Sequence, residues 1–207
     1  MQGYYDAFIV CLSVLAAILA VYVALDLTGR VAASGGAVRS AWIVGGALVA
    51  GVGMWTMHFI GMLALHLPVP VTYTIRGVLL ALAIAVASSI LWLLVAATRA
   101  ARSRGVLLAG CLLGVGMGAM HVVAIGAMRL AATPVFDRRM ILLSMVIAVI
   151  ASVGVVSFAS RLRADEGSVG LRRRVLASLV IGVLIATMYY TAMAGMRFRP
   201  APAAAAA

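Results

Sequence analysis

Six apolar runs, each longer than twenty residues, set the limits on what this chain can become. They lie near residues 5–27, 41–65, 77–98, 105–128, 140–160 and 175–196. At 1.5 Å of rise per residue, about 20 apolar residues cross the roughly 30 Å hydrocarbon core of a bilayer. Lipid offers no partner to backbone N–H and C=O groups, and a helix satisfies them within one segment. The expected fold is therefore all-α: an integral membrane bundle of six transmembrane helices. Hydrophobic residues make up 66% of the chain and charged ones 10%, which no soluble domain of this length shows.

The connections are short and carry turn signals, among them Ser34-Gly35-Gly36, Pro68 with Pro70, and Asp165-Glu166-Gly167. They leave no room for a soluble domain, so residues 1–199 read as one membrane domain. The Pro/Ala-rich tail over 200–207 reads as disordered. No basic segment precedes the first run, which is expected to stay as a membrane helix rather than act as a cleaved signal. Cys11 and Cys111 fall early in the first and fourth spans, hence in opposite leaflets, where no disulfide can join them.

All sixteen basic residues are arginine, and they sit between the apolar runs. That placement suits topology and lipid headgroups and argues against nucleic acid as a partner. Ten arginines follow the first, third and fifth runs: 30, 39, 99, 102, 104, 161, 163, 172, 173 and 174. Six lie on the other side, at 76, 129, 138, 139, 197 and 199. The richer side is expected to be cytoplasmic, which leaves both termini outside a bacterial inner membrane. Asp26, one turn before Arg30 in the first run, reads as the partner of an interfacial ion pair.

One motif recurs. Residues 51–64 place Met54, His58 and Met62 on a single helical face; Met117 and His121 repeat the pair, and Tyr189 with Met193 echoes it. The intervals, 63 residues from His58 to His121 and 68 from there to Tyr189, correspond to two helices each. The chain thus reads as three parallel two-helix repeats, with the motifs at one depth on helices two, four and six. On helix two, Ala47, Gly51, Met54, His58, Gly61 and Met62 share a face, with Leu48, Val52, Trp55, Phe59 and Leu63 opposite, toward lipid. Gly110, Gly114 and Gly118 share the face of Met117 and His121, and Ser178 and Gly182 that of Tyr189, so small residues mark the packing side.

A histidine at membrane depth is rare and costly, and two at equivalent repeat positions favour function over simple hydrogen bonding. Nine of the twelve methionines lie in the three motif segments, although methionine also serves as a flexible core filler. Thioether and imidazole donors without a nearby carboxylate suit copper, Cu(I) above all, rather than calcium, magnesium or structural zinc. The candidate ligands are His58, His121, Met54, Met57, Met62, Met117, Met120, Met188 and Met193. Tyr189 reads as a packed ring or hydrogen-bond partner behind them, and His66, beside Pro68, as a solvated loop residue.

Met57-His58-Phe59-Ile60-Gly61-Met62, Met120-His121 and Met188-Tyr189-Tyr190-Thr191-Ala192-Met193 resemble the three repeats of the bacterial MHYT sensor domain. That resemblance implies a membrane module with its motifs near the outer face. It also implies a sensor of oxygen, CO or NO acting through bound copper, often fused to cytoplasmic cyclic-di-GMP enzymes. Three departures stand out. Tyr189 replaces the third histidine, Val122-Val123-Ala124-Ile125 replaces Tyr-Thr-Gly-Met, and no seventh helix or output domain follows. A separate signalling output protein is then the expected partner, beside the lipid bilayer itself.

Two other functions compete with the sensor: a haem-binding electron-transfer protein with His58 and His121 as axial ligands, and a metal transporter with a central path. An enzyme is not expected, because no nucleophile–base pair, phosphate-cradling loop or carboxylate pair occurs.

Overall fold

In a computed structural model, which describes residues 3–97, 103–130, 132–161 and 168–200, six helices run through the chain. They are α1 (Ala7–Ala33), α2 (Gly36–Ala64), α3 (Ile75–Ala97), α4 (Ser103–Gly126), α5 (Arg138–Arg161) and α6 (Ser168–Ala194). All six are long and apolar enough to cross a membrane. Each helix packs on the next and α6 packs back on α1, which closes a ring. The odd helices also meet one another across the middle, and α2 reaches both α4 and α6. Three α-hairpins around a pseudo-threefold axis account for this pattern.

The helices outrun the apolar stretches at the arginine-rich end. α1 continues from Leu27 to Ala33, α2 begins at Gly36 rather than Ala41, and α6 begins at Ser168 rather than Val175. Arginine is a good helix former, and its long side chain carries the charge away from the helix axis, so hydropathy falls before helicity does. Asp26 there accepts from Arg30 Nε at 2.8 Å, as the spacing predicts, and also from an Arg174 guanidinium nitrogen on α6. Only Ser34 and Gly35 separate α1 from α2, and Gly36 adopts φ +54, a left-handed conformation open to glycine at little cost. The expected Asp165-Glu166-Gly167 turn and residues 201–207 of the expected tail lie outside the described residues, whereas Pro200, expected to open that disordered tail, pairs with Ala132 in a strand.

Sequence periodicity did not reveal the strands at the opposite end. β1 (Tyr4–Tyr5) pairs with β2 (Leu65–His66), β3 (Thr72–Tyr73) with β4 (Met128–Arg129), and β5 (Ala132–Phe136) with β6 (Met196–Pro200), all antiparallel. Each pair ties the segment before a repeat's first helix to the segment after its second. Next to each pair stands the same hydrogen bond: Asp6 N–H to Ala64 O at 2.9 Å, Thr74 N–H to Ala127 O at 2.9 Å, and Asp137 N–H to Gly195 O at 2.8 Å. Asp6 also caps α1 by accepting from the N–H groups of Phe8 and Ile9. His66, expected to be a solvated loop residue, is exposed but belongs to β2 and stacks on Tyr4 with ring centroids 5.0 Å apart.

The glycine faces explain how closely the ring closes. A Cβ added to Gly51 would lie 2.7 Å from Val86 Cα on α3, one on Gly114 3.0 Å from Val149 Cα on α5, and one on Gly182 2.7 Å from Ile18 Cα on α1. These are one contact used three times at the repeat intervals, with backbone meeting backbone because the side chain is absent.

Candidate functional site

Helices α2, α4 and α6 each turn one motif ring toward the axis, near the strand end. His58, His121 and Tyr189 are 1%, 8% and 0% exposed, so water has little access to them. His121 Nδ1 lies 3.3 Å from His58 Nδ1, and the two rings meet edge to face at an interplanar angle of 86°. The Tyr189 ring stands at right angles to both, with centroids 5.0 Å from His58 and 5.8 Å from His121. Gly61 makes room for it: a Cβ there would lie 2.6 Å from Tyr189 Cε1.

A direct Nδ1–Nδ1 contact holds only if one ring carries the proton at Nδ1 and the other offers a lone pair. Among the described residues, His58 Nε2 and the Tyr189 hydroxyl have no hydrogen-bond partner. Buried polar groups normally find partners, so two unused ones beside a histidine pair mark unspent binding capacity. Among the described residues no third His, Cys, Asp or Glu joins the histidine pair to make a group of three.

The separation is compatible with a shared ion. Two nitrogens bound at about 2.0 Å to a tetrahedral metal lie roughly 3.3 Å apart. Imidazole nitrogens suit copper, and the thioethers of the motif segments are soft donors of the kind Cu(I) takes in preference to a hard cation.

The methionines divide by place. Met57, Met62, Met117, Met120, Met188 and Met193 are all buried, and Met54 is half-buried. Met54, Met57 and Met117 line a central cavity of about 40 Å³ to which all six helices contribute. Met117 has its sulfur engaged on α5, where Ser152 Oγ donates to it at 3.5 Å. Ser89 occupies the matching place on α3 and lines the central cavity with its hydroxyl unpartnered among the described residues. Serines inside apolar helices drew no attention in the sequence; the 63-residue interval between Ser89 and Ser152 was the available signal.

The expected lipid face of α2 needs correction at two positions. Leu48, Val52 and Leu63 are exposed, but Trp55 and Phe59 are half-buried. Trp55 Nε1 donates to Val78 O at 3.2 Å and its ring lies 4.8 Å from Phe59, so both residues fill the groove between α2 and α3. A helix in a closed ring has two neighbours as well as an inside and an outside, which a two-sided helical wheel misses. Cys11 and Cys111 are free thiols near opposite ends of the bundle.

Comparison with known proteins agrees with a repeated plan. The sequence profile of MHYT, described as a bacterial signalling protein N-terminal repeat, matches residues 51–110 and 114–170. The chain belongs to the MHYT family. Its relatives include the bifunctional diguanylate cyclase/cyclic di-GMP phosphodiesterase MucR of Pseudomonas aeruginosa, 40% identical over 198 residues. The cyclic di-GMP phosphodiesterase NbdA of the same organism is 36% identical over 193 residues, and the signaling protein YkoW of Bacillus subtilis 28% over 195. These alignments take in 94%, 93% and 94% of the chain but only 28%, 24% and 24% of the respective relatives. No solved structure matches. Membership of this family, with six helices able to span a bilayer, makes the chain a multi-pass membrane protein of the MHYT signalling type.

Proposed function

We propose that the chain is a sensory module whose sensing group is a copper ion held by His58 and His121. The observation that carries this reading is the buried Nδ1–Nδ1 separation of 3.3 Å, two nitrogen donors at one metal's reach with no carboxylate joining them among the described residues. Buried thioethers of the motif segments are the remaining candidate donors, and Tyr189 stands behind the pair as a hydroxyl with capacity to spare. Bound copper would supply an electron or an open position for a diatomic gas. The protein's own residues keep the site dry and hold the two imidazoles edge-on.

The arginine-rich end is the cytoplasmic one in this reading, which leaves the strand end outside an inner membrane. The domain itself performs no catalysis, and a cyclic-di-GMP enzyme is the output partner that its relatives' names suggest. Haem finds no support as an alternative, since the two rings touch and leave no slot for a macrocycle between them. Transport has none either, because the central void holds only about 40 Å³.

Metal analysis of detergent-extracted protein tests the proposal. Copper is expected in stoichiometric amount in the unaltered chain and absent from His58→Ala/His121→Ala. Equal copper in both, or none in either after loading with Cu(I), would overturn it.

A further inference from the structure

The three grooves between repeats are equivalent by symmetry but not by filling. Between α2 and α3, the rings of Trp55, Phe59 and Tyr73 form a continuous run of tilted and edge-to-face contacts, with Phe59 and Tyr73 centroids 6.0 Å apart. Between α6 and α1, Tyr190 closes the gap: its hydroxyl lies 2.7 Å from Ser13 Oγ and its ring 5.6 Å from Tyr5. Stepping by 63 and 68 residues, Gly118 and Val122 of α4 take the places of Trp55 and Phe59, and Val122 that of Tyr190. Among the described residues no aromatic side chain fills the groove between α4 and α5, and Met145 of α5 covers Gly118, its sulfur 2.6 Å from where a Cβ there would lie. A cavity of about 200 Å³ stands there instead, with Phe136, the counterpart of Tyr73 and Tyr5, on its wall.

This cavity reaches the histidine pair. His121 lines it together with Val122, Ile125, Ser144 and Met145. Val122 is 65% exposed on the outside of the ring, the side a bilayer would cover, so the void opens laterally rather than through the strand end. Its wall is apolar with two polar groups. His121 spends Nδ1 on His58, which leaves Nε2, and Ser144 Oγ donates to Ile141 O at 2.7 Å and so can still accept. No charged side chain lines the void, and an ion entering it would lose its hydration without compensation.

We propose that the α4–α5 groove is a lateral binding site for a small, neutral, membrane-partitioning molecule with a single ring and a hydroxyl, delivered from the bilayer to His121. Volume supports one ring, since an apolar cavity of about 150 Å³ is enough to bind benzene. A phenolic hydroxyl has one proton: it donates to Ser144 while accepting from His121 where that nitrogen carries hydrogen, and donates to His121 instead where the nitrogen is bare. The site goes beyond the copper reading and does not require the metal, because its contacts are to the outer edge of His121 and to α5.

The test uses metal-free protein in nanodiscs and 4-fluorophenol as probe, followed by ¹⁹F NMR against empty nanodiscs. A saturable shifted resonance is expected from the unaltered chain. Val122→Phe, which copies Phe59 at an exposed position, should weaken binding by about tenfold or more, or 1.4 kcal/mol. Ser144→Ala should weaken it by about fivefold, the loss of one neutral hydrogen bond. Thermal unfolding identifies any variant that fails to fold, and Ser144→Ala then decides the matter. Absence of a saturable resonance, or unchanged binding in the folded variants, would overturn the site. Because no copper is present, failure of the copper proposal leaves this outcome untouched.

Discussion

The two ends of the bundle place polar groups at membrane depth in opposite ways. At the arginine-rich end a charge is met by charges: Asp26 uses one carboxylate oxygen for Arg30 and the other for Arg174, which joins α1 to α6. At the strand end the buried groups are neutral, packed edge to face, and left with a nitrogen and a hydroxyl unpaired among the described residues. The ion pair holds helices together and spends both carboxylate oxygens in doing so, although Arg174 Nε is left without a hydrogen-bond partner among the described residues. An unsatisfied neutral cluster contributes less to stability and keeps its binding capacity. The comparison teaches where to look for function: at the end where the unpaired groups are neutral rings with no counter-charge to occupy them.

Asp26→Asn should break the comparison most severely. It removes the negative charge that two guanidinium groups share, while Arg174 stays mostly enclosed at 23% side-chain exposure. Hydrogen bonds to charged groups are worth about 1.5–3 kcal/mol each when buried, and partial exposure reduces this, so a loss of about 2 kcal/mol is expected. Chemical unfolding in detergent measures it. Copper binding at the far end should be unchanged, and an equal loss there would mean that the two ends are not separable.

Gly61 and Tyr189 sharpen the other side. Gly61→Ala drives a methyl into a buried ring and should cost about 1–3 kcal/mol, as overpacking does. The smaller ring in Tyr189→His relieves the clash, so a double-mutant cycle should show a coupling of about 1 kcal/mol. The same substitution restores the third histidine of the repeat and should tighten copper binding. An additive cycle would mean that the Tyr189 ring is free to move away.

Much of this was legible in the chain. The six spans follow from apolar run length, and the convergence of His58, His121 and Tyr189 on one depth follows from the 63- and 68-residue intervals. The strand pairs were not legible, because each joins segments some sixty residues apart and is only two to five residues long. Arg174 could not be assigned to Asp26 for the same reason: an i,i+4 partner is visible in sequence, and a partner on another helix is not. Trp55 shows a third limit, since its side of α2 faces a neighbour that a single-helix wheel does not contain. The missing ring at Val122 was within reach, for it needs only the repeats set against one another.

The smallest effect expected is a pH response confined to the strand end. Tyr5, in β1 outside the spans, has its phenol pushed up to about 12 by burial and, less strongly, by Tyr190. The folded state thus holds that proton more tightly than the unfolded chain, whose tyrosines release it near pH 10. The contribution of Tyr5 to stability is complete below pH 10 and is lost as pH rises from 10 through about 12. Tyr5→Phe should flatten the alkaline limb of the stability profile over that interval and delete one late step from the phenolate absorbance titration. Asp26→Asn should leave both features in place, because its carboxylate lies at the other end. If the Tyr5 step persisted in Tyr5→Phe, the late phenol would belong elsewhere, with Tyr73 the next candidate because burial raises it too.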